Sequence, residues 1–234
     1  MQSSGVLYLI PTPLGSMELN EVIPQGVLRV IPGLTHFFVE ELRSGRRFLS
    51  AAGHKGSVES LNLYELNEHT KEDQIENYIK VLLDGNDAGL LSEAGIPAVA
   101  DPGSSLVALA HSRGIRVIPM SGPSSIILAL AGSGMNGQSF HFHGYLPVKS
   151  EVRRTAIKKL ESLSLSTGAS QIFIETPYRN NSILSDILDV CSSNTKLCIA
   201  ANITLPDSFV VTRTISQWRA ERPDLNKKPC VFIL

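Results

Sequence analysis

Leu90-Leu91-Ser92-Glu93-Ala94-Gly95-Ile96-Pro97-Ala98-Val99-Ala100-Asp101-Pro102-Gly103 is followed, after a helical interval, by Ile115-Arg116-Val117-Ile118-Pro119-Met120-Ser121-Gly122-Pro123-Ser124-Ser125. These two segments decide the fold. Each is an apolar strand that ends in a loop of small residues, glycine and proline, and each loop opens a helix. Two strand–loop–helix units in succession define the ligand-cradling edge of an α/β sheet. The polar side chains placed to act there are Ser92, Glu93, Asp101, Ser121, Ser124 and Ser125.

Working outward toward the amino terminus, the same alternation continues. Val6–Ile10 reads as a strand closed by the stiff loop Pro11-Thr12-Pro13-Leu14-Gly15, whose prolines lack N–H donors and so cannot form a phosphate nest. A helical pattern ends at Pro32-Gly33, and Thr35–Val39 and Leu61–Leu66 read as strands. Thr70-Lys71-Glu72-Asp73 resembles a capping box ahead of Ile75, Ile79, Leu82 and Leu83 at helical spacing. Residues 6–119 therefore alternate strand and helix five times, which predicts a parallel, doubly wound sheet.

Beyond residue 120 the pattern changes. A helix is expected from Pro123, with proline at its first position, then strands at Phe140–Gly144, Ile172–Glu175, Lys196–Ala201, Phe209–Thr212 and Cys230–Leu234. Strands with little between them imply antiparallel pairing, hence a mixed sheet. The expected organisation is an α/β chain with an N-terminal lobe, 1–119, and a C-terminal mixed α/β lobe, 120–234. The chain finishes on a strand, so no further domain is expected.

Composition narrows the function. A formal charge of −1 gives no general attraction to nucleic acid or membrane, so such binding needs a local patch. The three cysteines are scattered and lack a CxxC spacing, as expected of reduced, cytoplasmic thiols. Residues 1–5 lack a basic, apolar leader pattern, and the apolar run 126–131 is too short to span a bilayer. Gly132-Ser133-Gly134-Met135-Asn136-Gly137 matches the dinucleotide fingerprint, but it follows a helix and leads into a strand, the reverse of the required context. His141 and His143 share a strand face without an evident third ligand, so no metal is expected. Glu40-Glu41 ends the second strand, with Arg43, Arg46 and Arg47 just after: a solvated helix start, or a substrate-facing acid beside a basic patch.

The blocks Tyr8–Gly15, Ser92–Gly103, Gly114–Pro119, Gly122–Ser125 and Gly144–Pro147 together resemble the tetrapyrrole methylase superfamily, in the same order along essentially the whole chain. Within it the sequence is most similar to the bacterial 16S ribosomal RNA cytidine 2′-O-methyltransferase branch. The resemblance implies a two-lobed homodimer that binds S-adenosylmethionine in a cleft between the lobes. It places the donor against the Glu93–Val99 loop, Gly95, Ile96 and Pro97 included, and against Leu14, Ser124, Ser125, Ala201 and Cys230. It also brings departures. Where the branch carries Glu-Asp-Thr-Arg-His, this chain has Glu40-Glu41-Leu42-Arg43-Ser44. Tyr64 and Leu66 stand where histidines are expected before Asn67-Glu68. Ala200-Ala201-Asn202-Ile203-Thr204-Leu205 replaces Ala-Arg-Glu-Leu-Thr-Lys, and Pro229-Cys230 replaces Gly-Glu. A C-terminal helical extension common in the branch is also missing.

Methyl transfer to a hydroxyl is an in-line displacement that needs the acceptor held close and a base within reach. The candidates are Glu93, Glu40 and Glu41; Asp101 reads as a turn or cap. Three functions follow: methylation of a ribosomal RNA ribose, with Arg43, Arg46, Arg47, Arg153, Arg154 and Lys158 contacting phosphates; methylation of a tetrapyrrole-like small molecule; or a non-catalytic donor-binding paralogue.

Overall fold

A computed structural model describes residues 4–15 and 18–234. Of the amino-terminal stretch read for a leader, residues 1–3 lie outside the described residues. The chain divides into two compact units, Met1–Ser124 and Ser125–Leu234.

The first unit is built on five short strands: β1 (Val6–Leu9), β2 (His36–Val39), β3 (Asn62–Glu65), β4 (Ala88–Leu91) and β5 (Arg116–Pro119). They form one sheet in the order β3-β2-β4-β1-β5, and every pairing is parallel. Two-faced burial explains why the central strands are apolar runs without polar alternation. Leu7, Leu9, Phe38, Ala88 and Leu90 pack one face, under α4 (Glu72–Leu83) and α5 (Ser104–Ser112). Ile10, Phe37, Val39 and Leu91 pack the other, under α1 (Leu19–Val22), α2 (Gln25–Val30) and α3 (Leu42–Leu49). The connections run outward to β3 and then return to β4 and β5, so the carboxyl ends of β1, β2 and β4 meet where a doubly wound sheet binds ligands.

The second unit holds α6 (Ser125–Ser133), β6 (Phe140–Tyr145), α7 (Ser150–Thr167), β7 (Ser170–Glu175), α8 (Asn180–Val190), β8 (Lys196–Ala201), β9 (Phe209–Thr214), α9 (Ile215–Ala220) and β10 (Cys230–Ile233). Its sheet runs β6-β7-β10-β8-β9; only β6 and β7 are parallel, so the sheet is mixed. Phe173, Leu197, Ile199 and Phe232 pack against α7, α8 and α9. Ile172, Cys198, Ala200, Val231 and Ile233 face α6.

Three local expectations are corrected. Pro123 does not open α6: the helix begins at Ser125, and residues 120–124 are extended loop. Nor does Thr70 cap α4. Its hydroxyl receives the Asn67 N–H at 2.9 Å, and the helix starts after Lys71, whose N–H donates to Gln74 Oε1 at 3.1 Å. The third concerns Arg153 and Arg154, read as phosphate ligands. Arg153 is 3% exposed, its guanidinium paired with Asp186 at 2.5 Å and donating to Val148 O and Ser182 Oγ. Arg154 reaches Asp186 and Asp189. Burying a guanidinium costs several kcal/mol unless it is fully paired, so Arg153 is an internal strut of α7 and α8. Of the three basic residues read on α7, Lys158 stays exposed without an ion pair among the described residues.

Candidate active site

Three loops meet at the carboxyl edge of the first unit's sheet. The loop after β1 and the loop after β4 are stitched by a reciprocal backbone pair: Thr12 N–H to Gly95 O at 2.9 Å and Gly95 N–H to Thr12 O at 3.1 Å. Thr12 Oγ1 also donates to Ser92 O at 3.2 Å. Gly95 has φ +85°, a conformation costly for residues with a Cβ, and a Cβ there would lie 3.3 Å from Leu14 Cδ2. The turn after β5 closes on the same place. A Cβ at Gly122 would sit 2.2 Å from Pro11 Cβ, so only glycine lets that turn approach.

Beyond Gly95 the chain is unusual. Ala98 (φ +66°) and Ala100 (φ +59°) hold left-handed backbone without being glycine. The backbone N–H groups of Ile96, Ala98 and Ala100 hydrogen-bond to nothing among the described residues. Pro97 is buried, Val99 is 49% exposed, and Asp101 Oδ1 accepts the Gly103 N–H at 3.2 Å in a turn. The other oxygen, Oδ2, is buried with no partner. Strain and unmet hydrogen-bonding capacity collect where a ligand completes the structure.

Beside this loop lies a cavity of about 160 Å³, lined by Thr12–Gly15, Val39–Glu41, Ser44, Gly45, Arg47, Phe48 and Leu91–Ala94. It brings together Glu40, Glu41 and Glu93, but not as equals. Glu41 is the N-cap of α3: its carboxylate accepts from Arg43 N–H at 2.8 Å and Ser44 N–H at 2.7 Å, and these bonds hold it below the usual carboxylate range. Glu40 is half-buried and accepts the Glu93 backbone N–H at 3.0 Å. Burial raises its pKa, only partly opposed by that bond; the carboxylates of Asp101, Glu93 and Glu68 raise it further. A carboxylate made more basic in this way is suited to take a proton.

The remaining predicted residues fall elsewhere. Leu14 lines the cavity, Ser124 ends the first unit, and Ser125 opens α6 in the second. Ala201 and Cys230 are cross-strand partners in β8 and β10, and both side chains are buried in the core facing α7–α9. Burial pushes the Cys230 thiol up to about 12, so it is a neutral S–H there. Only backbone groups of these two positions can face a ligand. In the loop that follows, Asn202 N–H donates to Pro229 O at 3.0 Å, and Asn202 and Thr204 hold positive φ. The Gly132–Gly137 run ends α6, with Gly134 in left-handed conformation, as its context implied. His143 bonds Gln171 at 2.8 Å. Thr12 and Ser44 were not read as contributors from the sequence; a lone Ser three residues past the acid Glu41 is the signal that could have found the second.

This geometry has known counterparts. Residues 6–218 match the family described as Tetrapyrrole (Corrin/Porphyrin) Methylases, and the chain belongs to that family. It is therefore a methyltransferase, and its methyl donor is S-adenosylmethionine. The chain is 29% identical over 232 residues to the ribosomal RNA small subunit methyltransferase I of Vibrio cholerae serotype O1, covering 98% of this chain and 76% of that protein. It is 32% identical over 202 residues to the protein of the same name from Escherichia coli O157:H7, covering 86% and 66%. The crystal structure of the methyltransferase CobJ shares the fold, with a TM-score of 0.64 at 13% identity over 99% of this chain and 93% of that one.

The residues present fit that donor. Its carboxylate and ring nitrogens need donors, which the unpartnered N–H groups of Ile96, Ala98 and Ala100 would supply.

Proposed function

We propose that this protein methylates a ribose 2′-hydroxyl of ribosomal RNA in the small subunit, acting in the cytoplasm as a homodimer. One observation carries the reading: a basic-shifted carboxylate, Glu40, lines a cavity whose rim is the arginine-bearing helix α3. Arg43, Arg46 and Arg47 are exposed and make no ion pair with an acidic side chain among the described residues. Three cations without a salt bridge beside a base suit a polyanionic acceptor whose phosphates they can hold. The names of the relatives point the same way. No helix among the described residues is long and apolar enough to cross a membrane. Tyr145, Val148 and Val152 are more than half exposed in the second unit, which supports a partner surface there.

The chemistry follows from the roles. Bound S-adenosylmethionine supplies an electrophilic methyl carbon on a positively charged sulfur. The α3 arginines hold the RNA backbone, and the cavity holds the ribose. Glu40 would take the 2′-hydroxyl proton as the ribose oxygen accepts the methyl group that the donor would supply, the donor leaving as a neutral thioether. Glu93 fixes Glu40 through its backbone N–H. A tetrapyrrole-like acceptor rests on the family description and a fold likeness alone.

The test is methyl transfer from labelled S-adenosylmethionine to undermethylated small ribosomal subunits or their RNA, with nucleotide analysis. A 2′-O-methylated ribose is expected; no transfer to RNA overturns the reading. Replacing Arg43, Arg46 and Arg47 together by glutamine lowers the slope of log affinity against log salt by about 2, at ~0.7 per lost single-strand phosphate contact. An unchanged slope removes α3 from the RNA site. Separately, Gly95→Trp weakens donor binding about tenfold or more by forcing a bulky side chain toward Leu14 and out of left-handed backbone. Calorimetry with S-adenosylmethionine reads this directly, and wild-type affinity in the variant would mean the donor lies elsewhere.

A further inference from the structure

We propose that Ser44 is a positioning residue for the base: its hydroxyl ties the Glu93 carboxylate to α3, which holds the Glu93 backbone N–H against Glu40. This rests on the reading of Glu40 as the proton acceptor. Ser44 sits in the first turn of α3, its own N–H fixed by the Glu41 cap at 2.7 Å. Its Oγ lies within hydrogen-bond reach of Glu93 Oε1 and 3.1 Å from Glu41 O. A serine hydroxyl has one proton, and donation to an ionised carboxylate is roughly twice as strong as donation to a neutral carbonyl. The proton therefore goes to Glu93.

The consequence is a short relay of constraint across 49 residues of sequence. Glu93 is exposed and lies in the loop after β4, where its side chain would otherwise sample several rotamers. Pinned at its carboxylate by Ser44, and followed two residues later by the Gly95–Thr12 stitch, the segment keeps its N–H aimed at Glu40. Ser44 touches neither the methyl nor the hydroxyl proton; it acts through Glu93. The same bond closes one wall of the cavity, because Glu40, Ser44 and Glu93 all line it.

The experiment pairs residue-resolved amide exchange by NMR with methyl-transfer kinetics on the full chain. In Ser44→Ala the Glu93 N–H exchanges about tenfold faster, as expected when a charge-assisted bond is freed, while the Gly95 N–H stays protected by Thr12 O. The rate constant kcat falls about 3- to 10-fold with the donor KM unchanged, since the lost interaction serves the transition state. Ser44→Thr, which keeps the hydroxyl, restores both. Unchanged Glu93 exchange in Ser44→Ala overturns the proposal, as does equal loss in the alanine and threonine variants. If the wild type transfers no methyl group to RNA, the proposed function fails while amide exchange still decides the role of Ser44.

Discussion

Glu40→Gln lowers the rate of methyl transfer about a hundredfold or more, within the 10²–10⁴ range of general base catalysis, while S-adenosylmethionine binds as before. Glutamine keeps the shape of the side chain and an oxygen to accept the Glu93 N–H, so the loop geometry survives. What disappears is the capacity to take a proton. In the wild type the active form is the carboxylate, and burial with three neighbouring carboxylates raises its pKa above that of an ordinary glutamate. Activity therefore falls as pH drops through that raised value, and the acid limb of kcat/KM lies above the ordinary glutamate range. Stability moves in the opposite sense. A carboxyl that binds its proton more tightly folded than unfolded costs stability as pH rises through the interval between the two pKa values, and the cost persists above it. Glu40→Gln removes that cost, so the inactive variant melts higher than the wild type at neutral pH. Near wild-type turnover in Glu40→Gln would move the base to another group.

Arg153→Ala destabilises the second unit by about 3–5 kcal/mol, the range for removing one partner of a buried ion pair. The Asp186 carboxylate, 8% exposed, loses the guanidinium, and Val148 O and Ser182 Oγ lose a donor. Arg154→Ala is the control. Its side chain is 40% exposed, and its ion pairs are worth about 0–1 kcal/mol. Denaturant unfolding of the two variants measures the contrast. Equal midpoints would mean Ser150 and Arg154 already satisfy Asp186.

The two mutations mark the boundary of what the sequence shows. The parallel sheet was legible because Phe37-Phe38-Val39 and Ala88-Gly89-Leu90-Leu91 are apolar on both faces, which only a doubly covered strand tolerates. The antiparallel pairing of β8 with β9 followed from the short loop between them, whereas β10, which lies beyond α9, inserts between β7 and β8 instead of pairing with β9. Arg153 was misread because its partner lies 33 residues away, and charge on a helix otherwise belongs in water. Glu40 and Glu41 are chemically identical neighbours. Which of them caps α3 and which stays basic depends on the residue at which the helix starts, a boundary that pattern reading leaves uncertain by one or two residues. Ser44 was counted as a missing histidine, and its bond to Glu93 exists only once β2 and β4 lie side by side.

The strand order also sets a schedule for synthesis. β1 is made first, yet its partners among the described residues are β4 and β5: Tyr8 pairs with Gly89 and Ile118. With about 80 residues to be added at roughly 5–20 per second, the nascent chain carries an unpaired apolar strand for on the order of 4–16 s. During that interval the first unit has the exposed edges that invite association between chains.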